Sequence, residues 1–160
     1  MSKLSKEMES AMNKQIVEEL HSAYIYLGIS RWAEERSMHH YASWMHLQAK
    51  EEFAHAEKFM KFITERGGHV ELGTLEAVKS EFENTEETIK LSIGHEQFIT
   101  SKIHELMDLA QSTKDYPSIE FLNWYVKEQV EEEDAANDLL ATYELQGKKD
   151  GLWDHHLKRS

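Results

Sequence analysis

Pro117 is the only proline in the chain of 160 residues, and there are only 7 glycines. Proline inside a helix removes a hydrogen bond and clashes with the preceding turn, and glycine is the next poorest helix former. Their scarcity leaves long stretches free to stay helical, and the breakers that do occur mark ends. Ser5 suits an N-cap, with Glu7 and Glu9 at the positive end of the helix dipole, so a first helix runs from near Ser5 to about Ser37. A second runs from about His39 to Arg66 and stops at Gly67-Gly68. A third starts at Asn84, with Glu87 placed as in a capping box, and ends near Ser112. Pro117 then falls in the first turn of a fourth helix that continues to about Gln146. Asp150 to Lys158 has room for one more short helix.

Short, long and short connections between four long helices describe an all-α four-helix bundle: two antiparallel hairpins joined by a long crossover, as a single domain over residues 1–160. Val70, Leu72 and Leu75 in the crossover predict that it packs rather than dangles.

The informative residues are the polar ones that interrupt the apolar stripes. Met12, Ile16, Ala23 and Tyr26 share one face of the first helix, and Glu19 lies among them. On the second helix Met45, Ala49, Ala56, Phe59 and Ile63 form the stripe, broken by Glu52 and His55. Glu96 interrupts the third, and Gln129 and Glu132 the fourth. An unpartnered buried carboxylate costs several kcal/mol, so four on separate helices demand something positive among them. A pair of divalent cations would serve. There is no cysteine, which excludes thiolate zinc and iron–sulfur sites and leaves oxygen and imidazole donors, suited to Fe, Mn or Zn.

The interruptions also repeat. Glu19 and Glu96 stand 77 positions apart, as do Glu52 and Gln129, His55 and Glu132, and Glu51 and Glu128. Taken singly, each is an ordinary helical polar residue, and Glu52-x-x-His55 alone is a weak motif. Two hairpins carrying the same internal spacing would bring them to one height in a bundle, which is a far more demanding coincidence.

The balance of charge, 30 acidic against 18 basic residues, repels phosphate backbones and anionic headgroups, so nucleic acid and membrane are poor partners. The N-terminus lacks a signal-peptide core and no apolar run is long enough to span a bilayer, which makes a cytoplasmic location the expectation.

With those residues in view, the sequence resembles the ferritins, specifically the haem-free bacterial and archaeal type, over nearly its whole length. The most specific segments run from Gln48 to His55, from Glu65 to Gly68, through Asp115-Tyr116-Pro117, and from Phe121 to Glu133. The resemblance implies a ferroxidase that oxidises Fe(II) with dioxygen or hydrogen peroxide and stores Fe(III) mineral inside a homo-oligomeric 24-mer shell. By motif match, Glu19, Glu52 and His55 would hold a first iron, and Glu52, Glu96 and Gln129 a second, with Glu52 bridging. Glu51, Glu128, Glu131 and Glu132 would form a third position. Tyr26 matches a tyrosine beside the centre, and Trp124 a nearby tryptophan, read here chiefly as a core aromatic. Haem-binding relatives carry methionine where this chain has Phe53, so no haem is expected. Wider ferritin-like di-iron proteins carry Glu-x-x-His on the second and fourth helices, whereas here the fourth-helix pair is Gln129 and Glu132. A second iron would therefore be held more weakly. The alternatives are a non-storage di-iron oxidase or peroxide reductase of the same fold, and a metal-free helical interaction module.

Overall fold

The computed structural model describes residues 3–158. Four long helices, α1 (Lys6–Glu35), α2 (His39–Glu65), α3 (Thr85–Ser112) and α4 (Tyr116–Leu145), are followed by the short α5 (Asp150–His156). The expected ends agree to within a residue or two. Ser5 Oγ accepts from Met8 N, Asn84 from Glu87 N, and Asp115 from Ser118 N, so three of the long helices carry their own N-caps.

The ends of α2 are made differently. At its start Met38 has no capping side chain, and the Asp154 carboxylate of α5 accepts from Tyr41 N at 2.8 Å instead. At its end, Gly67 lies at φ +74°, with Gly67 N bonding Thr64 O and Gly68 N bonding Ile63 O, and any Cβ on Gly68 would strike Glu9 and Ile63.

α1 packs on α2, α3 on α4, and α1 on α3. The crossover follows α1, pinned where His69 N bonds Glu9 and Glu71 N bonds Asn13, each at 2.8 Å. Val70 packs into the core and Phe82 meets Trp32 edge to face, but Leu72 and Leu75 remain exposed in the single chain, so the expected packing holds for only part of this segment. Among the described residues no helix is long and apolar enough to cross a membrane.

Two apolar clusters fill the bundle. One, built around Ile29, Tyr41, Met45, Ile89 and Trp153, occupies the α5 end, and the other, around Met12, Phe59, Ile103 and Leu122, the opposite end. The interrupting polar residues lie between them.

Candidate metal centre

The four helices bring Glu19, Glu52, His55, Glu96, Gln129 and Glu132 together in that middle layer, all nearly inaccessible to solvent. Each sits at a stripe position, so the periodicity that buries the apolar neighbours buries the carboxylates as well. Three groups offer one ligand atom per residue within 4.8 Å of one another: Glu19, Glu52 and His55; Glu52, Glu96 and Glu132; and His55, Glu128 and Glu132. Glu52 is common to the first two. Glu132, read from the sequence as part of a third position, stands in the second and third groups, between the paired carboxylates and Glu128.

The hydrogen bonds show what is satisfied and what is not. Tyr26 OH donates to Glu96 Oε1, and Gln129 Nε2 donates to Glu96 Oε2 at 3.1 Å and to Thr100 Oγ1 at 3.1 Å, leaving the Gln129 amide oxygen for another role. His55 Nδ1 lies 3.2 Å from Glu52 Oε2 and 3.8 Å from Glu19 Oε2. Glu19 Oε2 has no hydrogen-bond partner among the described residues, although it is fully buried.

Electrostatically the layer is strained without a cation. Burial, with Glu19 close by, pushes the Glu52 carboxyl up to about 7, even though His55 pulls the other way. Burial and Glu52 push Glu96 up to about 7, and burial with Glu52 and Glu96 pushes Glu132 up to about 9. Burial disfavours the His55 imidazolium, but Glu19 and Glu52 outweigh it and raise His55 to about 11. Burial and Glu96 hold the Tyr26 phenol well above its ordinary range, so it remains a donor. Four carboxylates face one imidazole, and two divalent cations would displace their protons and balance four negative charges with His55 neutral. The donors are hard oxygens plus one nitrogen, at an orphaned buried oxygen, and they fit such cations.

The accessory residues are less tightly gathered. Glu128 is half-buried and belongs to the group with His55 and Glu132, whereas Glu51 and Glu131 are exposed and belong to none of the three. Trp124 departs from the core role expected of it: it is 40% exposed, its ring stands 5.3 Å from that of His55, and Lys58 Nζ lies 3.3 Å from its centroid. The residue that does fill the core there is Tyr125, whose hydroxyl donates to His55 O at 2.6 Å.

Sequence reasoning missed two residues that touch the centre. Gln15 Nε2 donates to Glu19 Oε1 at 3.1 Å, and Gln48 Nε2 donates to Glu52 Oε1 at 3.0 Å and Glu132 Oε2 at 2.6 Å. The available signal was a glutamine four residues before a stripe-breaking glutamate, on both α1 and α2.

Comparison with known proteins identifies the family of this fold. The family model for ferritin, a ferritin-like domain, matches residues 9–145. Among curated relatives, a bacterial non-heme ferritin of Staphylococcus epidermidis is 40% identical over 130 residues, 81% of this chain and 78% of that protein. One of Staphylococcus aureus is 38% identical over the same shares. Among solved structures, an open pore ferritin from the hyperthermophilic archaeon Archaeoglobus fulgidus superposes with a TM-score of 0.92 at 35% identity, covering 99% of this chain and 100% of that one.

Proposed function

The chain belongs to the ferritin family, and from that premise we propose that it stores iron by oxidising Fe(II) at the buried carboxylate layer and depositing Fe(III) inside a shell of its own copies. The observation that carries the reading is the set of four buried carboxylates with one imidazole and an unpartnered Glu19 oxygen, an arrangement that is unfavourable until cations enter it.

In this reading Fe(II) is substrate. Glu19, Glu52 and His55 receive one ion, and Glu52, Glu96 and Glu132, with the Gln129 amide oxygen, receive the other. Two Fe(II) give up two electrons, and dioxygen with two protons becomes hydrogen peroxide, or peroxide with two protons becomes water. The anionic oxygens favour the higher charge of Fe(III). Tyr26 holds Glu96 in place through its hydroxyl, and Glu132 and Glu128 offer the next carboxylates for an ion leaving the pair. The apolar clusters on either side limit access by water. The non-heme ferritins among the relatives support a haem-free centre.

Glu52→Ala tests the reading. It should fold and assemble, yet lose the fast phase of Fe(II) oxidation in stopped-flow absorbance by on the order of 100-fold or more, as loss of a ligand shared by both ions requires. Wild-type initial rates in that variant would sink it. Electron microscopy after iron loading should show hollow particles filled with mineral, and a stable monomer or dimer would rule out storage.

A further inference from the structure

Gln15 and Gln48 occupy the same place on successive helices, one turn before Glu19 and Glu52 respectively, and both are buried. Each amide reaches along its helix to the carboxylate below, an i, i+4 pair. Gln48 does more, since its single NH₂ group also spans to α4 and donates to Glu132. When ionised, as in holding a cation, all three carboxylates are acceptors only, so the NH₂ end of each amide faces them.

The chemistry of the brace is selective. A lysine in either place would fix the carboxylate but neutralise the charge that a cation needs. A carboxamide donates without charge, so it orients and leaves the field intact. It also takes one oxygen and leaves the other. Gln15 holds Glu19 Oε1 while Oε2 has no partner, and Gln48 holds Glu52 Oε1 while Oε2 faces His55. On the far side Gln48 takes Glu132 Oε2 and leaves Oε1.

We propose that Gln15 and Gln48 are positioning residues that tune the two metal positions separately, Gln15 the Glu19–Glu52–His55 position and Gln48 the Glu52–Glu96–Glu132 position. The inference rests on the metal-binding reading above. Gln48 keeps Glu132 turned into the pair, so the second position has a third carboxylate ready where Gln129 supplies only an amide oxygen. Its effect on the first position is smaller, because there Glu52 is also held at Oε2 by His55 Nδ1, 3.2 Å away.

Stepwise Co(II) binding, followed by visible absorption and calorimetry on the assembled protein, separates the roles. Gln48→Met is nearly isosteric and removes the donor. It should weaken the second binding step by on the order of 10- to 100-fold, the usual cost of losing a hydrogen bond that orients a ligand, and leave the first within about 3-fold. Gln15→Met should do the converse. Gln48→Ala serves the same reading if the methionine variant does not assemble. Equal weakening of both steps by either variant, or of neither, would overturn the proposal, because a merely structural glutamine would not sort by position. Failure of the wild-type protein to bind two Co(II) at this layer would instead overturn the metal-binding reading itself.

Discussion

Hairpin α1–α2 and hairpin α3–α4 each place three polar residues in the central layer, 77 positions apart in sequence, but the two halves are satisfied differently. The first half offers Glu19, Glu52 and His55. It leaves one carboxylate oxygen without a partner and braces its glutamates with neutral amides from the same helices. The second half offers Glu96, Gln129 and Glu132. Its Glu96 is held at both oxygens, by Tyr26 and Gln129, and its Glu132 leans on a glutamine from the first half. A half that is unsatisfied when empty gains most from a cation, and a half already hydrogen-bonded gains less. On the metal-binding reading proposed above, the duplicated pattern would carry one strong and one weak position, which would suit ions that must pass through.

The largest test of that asymmetry is to erase it. Gln129→Glu combined with Glu132→His gives α4 the same Glu-x-x-His pair as α2 while preserving the number of carboxylates. The second Co(II) step should then tighten by on the order of 10- to 100-fold, and Fe(II) oxidation after the first two ions per subunit should slow as iron is retained. Undiminished turnover through repeated Fe(II) additions, measured by oximetry, would mean that weakness of the second position is irrelevant to release.

The pH dependence of the metal-free protein sharpens the comparison. Glu52 and Glu96 titrate near 7 and Glu132 near 9, all above the unfolded value of about 4.3. His55 titrates near 11, above about 6.5. Through these ranges the native protein binds more protons than the unfolded chain, so stability falls as pH rises. His95 opposes them at lower pH: burial and His21 hold it near 4, so it favours folding as pH rises towards about 6.5. Above 6.5 only the downward terms remain. The melting temperature of metal-free protein should therefore fall between about pH 6.5 and 9, and Zn(II) should flatten the profile. Glu132→Gln should remove about half of the fall between pH 7 and 9, His55 of the first half supplying most of the rest. A rising profile in that window would contradict the assignment.

A third contrast concerns what each half leaves behind. Glu96→Leu removes two hydrogen bonds, from the Tyr26 hydroxyl and the Gln129 amide, whereas Glu19→Leu removes one, from the Gln15 amide, along with the 3.8 Å approach of Glu19 Oε2 to His55. Both should abolish two-metal binding. In the metal-free state Glu96→Leu should be the less stable by about 1–3 kcal/mol, the cost of an unmade buried hydrogen bond. Equal melting temperatures would show that the two halves are satisfied alike.

Much of this was legible in the sequence, and the reason is periodicity. With a single proline, helix boundaries follow from Ser5, Gly67, Asn84 and Pro117, and the stripe assigns each carboxylate to the interior. What escaped depends on partners remote in sequence. Nothing local distinguishes Gln48 from a surface glutamine until α4 is placed beside it. Trp124 sits beside stripe residue Tyr125, yet only the docked helices show that Tyr125 turns inward and Trp124 outward. Leu72 and Leu75 look like core residues by type, but the crossover anchors through backbone bonds at His69 and Glu71 and leaves both exposed.

The smallest expected effect lies in how the hairpins are capped. Both helices of the second hairpin carry local caps, Asn84 and Asp115, whereas in the first only α1 does, through Ser5. The start of α2 borrows its acceptor from α5: Asp154 receives Tyr41 N, and the arrangement is held by Trp153, which is buried against Tyr41 and Tyr143. Asp154→Ala should therefore cost about 1 kcal/mol, as removal of a capping carboxylate does, and lower the melting temperature by about 2–4 °C. The cost should appear at two places far apart in sequence, because the borrowed cap also ties α5 to α2. Hydrogen exchange should quicken both at the first turn of α2 and through α5, while Asn84→Ala, a local cap, should quicken the start of α3 alone. Loss of protection confined to α5 in the Asp154 variant would show that α2 does not depend on the distant carboxylate, and that the two hairpins differ in metal chemistry but not in how their helices begin.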